Sequence, residues 1–196
     1  MYKKIKITEN TLQVLALFTN GFDNGYYIRE VERILKISPR TAQLILESLE
    51  NKGIIVSKTL GKIKIFKLNL SESTKRYLIF IEQYKSIAFF EKKLFIKEIT
   101  EKIIPHIKGA GLIFGSYAKD LEKKDSDLDV LVIGTYDEDH IKNISKIFGI
   151  EINIKCYPLK IFEKNFMTDF LLKEILKDHV VFLNSEQFVR SIFKNG

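Results

Sequence analysis

The run Gly111-Leu112-Ile113-Phe114-Gly115-Ser116-Tyr117-Ala118-Lys119-Asp120, followed after Leu121–Lys124 by Asp125-Ser126-Asp127-Leu128-Asp129-Val130-Leu131-Val132-Ile133, decides how the back of this chain folds. Each half carries a short apolar stretch bounded by turn residues, the pattern of a buried strand. The first strand ends in Gly-Ser and the second opens on Asp-x-Asp. Residues i and i+2 of a strand share a face, so Asp127 and Asp129 present their carboxylates side by side. Two adjacent anions on an otherwise apolar strand are costly unless a cation joins them. Hard oxygen ligands of this kind suit Mg²⁺, which completes its shell with phosphates and water. Gly115 lets the backbone approach a phosphate, the Ser116 hydroxyl can donate to it, and Lys119 adds positive charge. These three are the candidate phosphate-binding residues.

The segment resembles the DNA polymerase β-like nucleotidyltransferase superfamily, in its minimal nucleotidyltransferase branch. That family's signature is GSxAxG, a short spacer and SDxDL; this chain reads GSYAKD, a four-residue spacer and DSDLDV. The resemblance implies an enzyme that moves a nucleoside monophosphate from a nucleoside triphosphate, ATP foremost, to an acceptor hydroxyl on RNA, protein or a small molecule. It implies Mg²⁺ on Asp127 and Asp129, and that the phosphate at Gly115, Ser116 and Lys119 belongs to a nucleotide. Asp120 stands where the family has its last glycine, which bears on catalytic competence. An alternative is a regulator whose transferase-like domain senses nucleotide without turnover.

Relatives of this kind place a third carboxylate on a later strand. Here the strand 150–157 follows a helix expected over Asp137–Phe148, and Glu151, Asn153 and Lys155 share one of its faces. Glu151 is a candidate third catalytic carboxylate, as metal ligand or base. Asn153 is its rival, at the place where many relatives carry Asp. Beyond lie Phe162, Phe166, Phe170, Leu171, Ile175 and Leu176 at helical spacing, then a short strand Val180–Leu183 and a last helix. His106, His140 and His179 read as scattered, with no ligand cluster. Cys156 reads as a small buried hydrophobe.

Upstream, a stretch from Ser71 to Ile104 without Gly or Pro reads as a helical connector. It is either two helices broken near residues 86–88 or one long helix that pairs with a second subunit, which makes a homodimer an open expectation. The first seventy residues read as three helices and a hairpin. Ser38-Pro39 opens the third helix, Gly53 closes it, and Ala42, Ile45, Leu46 and Leu49 form its buried stripe. Two β-rich runs then meet at Gly61. This order resembles the winged helix-turn-helix family, which implies a third helix in the major groove of double-stranded DNA and a wing along the phosphates. Arg40, Thr41 and Gln43 are the candidate base or phosphate contacts, with Lys62 and Lys64 on the wing.

The expected architecture is therefore α/β of the α+β kind. A winged helix-turn-helix domain spans 1–70, a helical connector 71–89, and a nucleotidyltransferase domain with a mixed sheet flanked by helices 90–196. Charge follows this division: residues 1–109 carry a net +9 and residues 110–196 a net −2. Of 196 residues, 45% are hydrophobic and 3 are Pro, which excludes a disordered or collagen-like chain. One cysteine excludes an intramolecular disulfide framework and fits a reducing compartment. Lysines interrupt every apolar run and Met1–Ile5 lacks a signal-peptide core, so the expectation is a cytoplasmic protein without a membrane partner.

Overall fold

The computed structural model describes residues 7–193, so the Met1–Ile5 segment lies outside it. The chain divides into two compact units, Met1–Ile81 and Glu82–Gly196. In the first, helix α1 (Glu9–Phe18) is followed by α2 (Ile28–Leu35) and α3 (Pro39–Asn51). Ser38 caps α3: its Oγ accepts the Thr41 N–H at 3.0 Å, and Pro39 takes the first helical position, where no N–H is needed. Ala42, Leu46 and Leu49 are buried as the periodicity requires; Ile45, at the margin of that stripe, is half-buried.

Strands β1 (Ile55–Leu60) and β2 (Ile63–Leu68) form an antiparallel hairpin. Ile55, Phe66 and Leu68 face inward, while Val56, Leu60 and Ile63 are exposed. Tyr26 exchanges both backbone hydrogen bonds with Phe66, at 2.9 and 2.8 Å, which adds a single bridge to the edge of β2. The Tyr26 hydroxyl donates to the Leu17 carbonyl at 3.0 Å, tying that bridge to α1.

Helix α4 (Glu72–Lys92) runs from the first unit into the second, and α5 (Leu94–Ile103) follows it. The break falls at Lys93, not near residues 86–88. Lys93 leaves the helical region (φ −121°, ψ 61°), and its ammonium pairs with Asp120 at 2.7 Å and with Glu122. The boundary thus coincides with a tertiary ion pair and carries no Gly or Pro.

After a 3₁₀ turn (Ile104–His106) come β3 (Ile107–Phe114), the short helix α6 (Gly115–Ala118), β4 (Leu128–Tyr136), α7 (Glu138–Phe148) and β5 (Ile152–Tyr157). The chain closes with α8 (Leu159–Asn165), α9 (Phe170–Lys177), β6 (Val180–Leu183) and α10 (Ser185–Phe193). The four strands make one mixed sheet in the order β5-β4-β3-β6, with β4 and β5 parallel and the other pairs antiparallel. Helix α7 supplies the crossover that a parallel pair demands. Ile96, Ile99 and Ile103 of α5 and Ile141 and Ile144 of α7 pack with Ile113, Val130 and Val132 of the sheet into one apolar cluster.

Two further sequence expectations fail here for stated reasons. Cys156 is exposed, because β5 is the edge strand of the sheet. The run from Phe162 to Leu176 splits in two, and Phe170, at the start of α9, is 80% exposed. A carboxylate is fully buried in this unit. Burial pushes Glu82 up, but Lys85 at 3.0 Å and His179 more than offset it and hold it at about 2. Burial keeps His179 itself below its ordinary value. Its Nδ1 meets the Leu176 carbonyl at 3.0 Å, so the ring fits as a neutral donor there. Among the described residues no helix is long and apolar enough to cross a membrane.

Candidate active site

Strands β3 and β4 pair so that Phe114 lies opposite Asp129, which brings the Gly115-Ser116 turn and the Asp-x-Asp strand to the same end of the sheet. The fit is close. A Cβ on Gly115 would stand 2.2 Å from the Asp129 carboxylate, and Gly115 has φ +73°. Only glycine satisfies both the left-handed backbone and the carboxylate lying against it. Ser116 follows in α6, half-buried, with its carbonyl accepting the Leu121 N–H at 3.0 Å. Lys119 stands exposed as the C-cap of that short helix.

Asp129 is half-buried and Asp127, one residue before the strand, is exposed. Burial raises the Asp129 carboxyl above its ordinary value, and the neighbouring Asp127 charge raises it further. Asn153 and Lys155 offset this only in part, so the pair keeps a net repulsion that a bound cation would remove. The donor set is all oxygen and anionic, and it fits Mg²⁺.

The structure brings Asn153 against both aspartates. In the parallel β4–β5 register Asn153 lies opposite Asp129, and its Nδ2 donates to Asp127 Oδ2 at 3.3 Å. Glu151 precedes β5; its carbonyl accepts the Leu128 N–H at 2.8 Å, and it lines a cleft of about 820 Å³ together with Asp127, Tyr117, Lys123 and Lys124. The amide thus stands level with Asp129, and Glu151 shares the lining of that cleft with Asp127.

Asp120 occupies the left-handed region, φ +58°, the conformation a glycine would take at no cost. Aspartate is among the few side chains that tolerate it. Lys93 holds its charge and lowers its pKa through a hydrogen bond. Sequence reasoning missed Lys93, because its partners lie up to 29 residues away along the chain.

In the first unit, Arg40 is exposed at the start of α3 and its Nη1 donates to Gln43 Oε1 at 3.4 Å. Gln43 donates to Glu47 at 2.8 Å, and the Thr41 hydroxyl is engaged with Ser38 at 2.8 Å. Lys62 is exposed at the hairpin tip. Lys64 pairs with Glu50 at 2.7 Å and lies over the Phe66 ring, so Arg40 and Lys62 are the more available cations.

The family model of the nucleotidyltransferase domain matches residues 93–183. The second unit contains a nucleotidyltransferase domain. The match begins at Lys93, where α4 gives way to α5, and ends with the last residue of β6. No curated protein matches the chain. Among solved structures, the crystal structure of hypothetical protein PyrSV_gp04 from Pyrobaculum spherical virus is similar at 15% identity over 91% of this chain and 95% of that one. Its TM-score is 0.28, too loose an overlay to bear on either fold. General nucleotidyl transfer is the chemistry of such a domain. His106 and His140, expected apart, lie together at the other end of the nucleotidyltransferase sheet, while His179 is buried beside Glu82.

Proposed function

We propose that the protein is an Mg²⁺-dependent nucleotidyltransferase acting on a nucleoside triphosphate, ATP foremost, with Asp127 and Asp129 as its metal ligands. The observation that carries this reading is the Asp129 carboxylate, half-buried, raised, and lying against the glycine of the Gly-Ser turn. Bound there, the metal would neutralise charge on the triphosphate as the α-phosphorus is attacked. Gly115 brings the turn backbone against the Asp129 carboxylate, Ser116 offers a phosphate its hydroxyl, and Lys119 contributes charge. Glu151, which lines the cleft with Asp127, would take a proton from an acceptor hydroxyl. The test is incubation with labelled triphosphate, Mg²⁺ and RNA or protein acceptors. Label transfer that Asp127→Asn with Asp129→Asn abolishes supports the reading; equal transfer by both proteins overturns it.

The first unit is read as a winged helix-turn-helix that binds double-stranded DNA, with domain limits at 1–70, 71–89 and 90–196. Three helices followed by a hairpin support this, as do the exposed Arg40 and Lys62. Replacing Arg40 and Gln43 should relax sequence discrimination, whereas replacing Lys62 should weaken binding to every duplex and flatten its salt dependence. One observation favours a second reading, a nucleotide-sensing regulator: an amide, Asn153, stands level with Asp129. That reading expects no transfer to any acceptor and a DNA affinity that shifts with nucleotide.

A further inference from the structure

The end of the β3–β4 pair remote from Asp127 and Asp129 gathers three other ligating side chains. Ile107 pairs with Tyr136, so His106, just before β3, meets Asp137, just after β4. The Asp137 N–H donates to the His106 carbonyl at 3.0 Å, which fixes the two segments together. His140, in the first turn of α7, brings its Nδ1 to 2.8 Å from Asp137 Oδ2. The two imidazoles stack at 4.4 Å between centroids and 14° between planes. One ligand atom from each of the three residues lies within 4.8 Å of the others. His106 and Asp137 line a cleft of about 490 Å³ together with Tyr136.

We propose that His106, Asp137 and His140 form a binding site for a divalent transition metal of the zinc class, separate from the carboxylates at the opposite end of the sheet and independent of the transferase reading. Two imidazoles and one carboxylate are a donor set that zinc accepts, with water completing the shell. The same set discriminates against Mg²⁺, which prefers oxygen throughout. Asp137 is prepared for the role. Its Oδ1 caps α7 by accepting the His140 N–H at 3.2 Å, which leaves Oδ2 to face the ring nitrogen. The metal takes the place of the proton shared between Oδ2 and Nδ1. Coordination turns one ring out of the stack, a side-chain rotation that leaves the backbone where it is. The bound ion would strap the 3₁₀ turn ahead of β3 to the start of α7.

The experiment uses the full chain, free of any affinity tag and stripped of metal, carrying Asp127→Asn and Asp129→Asn so that the other end cannot contribute. Titration with Co²⁺ should produce ligand-field absorption that saturates near one equivalent and is displaced by Zn²⁺. His106→Gln and His140→Gln should each weaken it at least about tenfold, with circular dichroism unchanged. In the parent protein, Zn²⁺ should move the imidazole NMR signals of His106 and His140 and leave those of His179 in place. A Co²⁺ spectrum that stays that of the aqueous ion overturns the proposal, as do ring signals indifferent to Zn²⁺. Binding that neither glutamine substitution weakens overturns it too.

Discussion

Strand β4 has aspartates at or just beyond both of its ends, and the two ends hold them in opposite ways. At one end Asp129 is half-buried beside Asp127, with the amide of Asn153 and the charge of Lys155 offsetting the repulsion only in part. Burial and the like charge raise its pKa. At the other end Asp137 is exposed, and hydrogen bonds from the His140 backbone and ring lower its pKa. The first end is an anionic site left electrostatically incomplete by the protein alone; the second is satisfied internally by groups that can also ligate. Incompleteness of the first kind is what a site for a metal-bound triphosphate requires, since relief of repulsion adds to the binding of the cation.

The largest expected effect breaks the first end. Asp127→Asn with Asp129→Asn should lower nucleotidyl transfer by at least about 100-fold, read as label incorporated per unit time. The metal-free melting temperature of the same variant should hold or rise, because the repulsion is gone. A fall would mean that the pair stabilises the fold. Next comes Gly115→Ala, which places a methyl against the Asp129 carboxylate and forces a left-handed backbone on alanine. It should cost about 1–3 kcal/mol in denaturant unfolding and displace the turn.

A smaller effect, but the one that sharpens the contrast most, is read by NMR of the carboxyl carbons. Asp129 should titrate above the ordinary value of 3.8 and move down when Mg²⁺ or Asp127→Asn is supplied; Asp137 should titrate below 3.8. The linked stabilities have opposite signs. The stabilisation that Asp137 gives is present above its unfolded pKa and lost as pH falls through the folded one. The cost of ionising Asp129 is absent at low pH and grows as pH rises from its unfolded pKa through the folded one. The smallest effect is that of Asp137→Ala, which removes the cap of α7 and should lower the melting temperature slightly without changing transfer. A matching loss of transfer would show that the two ends are coupled.

Much of the first end was legible in the residues. Apolar runs, a Gly-Ser turn and an Asp-x-Asp opening are local patterns, and the i, i+2 alternation of a strand sufficed to set the carboxylates on one face. Glu151 and Asn153 could not be separated in the same way, because their order beside Asp127 and Asp129 depends on the β4–β5 register. The second end was illegible for a related reason. His106 and His140 are far apart in sequence, and only the pairing of Ile107 with Tyr136 brings them together. The helix break at Lys93 had no Gly or Pro to announce it, and the Asp120 and Glu122 partners of that residue are distant in sequence. Asp120, which read as a defect in the turn, keeps glycine's backbone conformation with its charge held by that lysine.

The exposed Cys156 has a practical consequence. It is the chain's one thiol, and it sits on an edge strand with its Sγ 3.3 Å from the Gly134 carbonyl. A maleimide dye would therefore attach at a single known position, three residues from Asn153, and report on nucleotide or metal without any engineered cysteine. The same thiol can join two chains covalently in air, so self-association has to be measured under reductant or on Cys156→Ser before any dimer is ascribed to the helices.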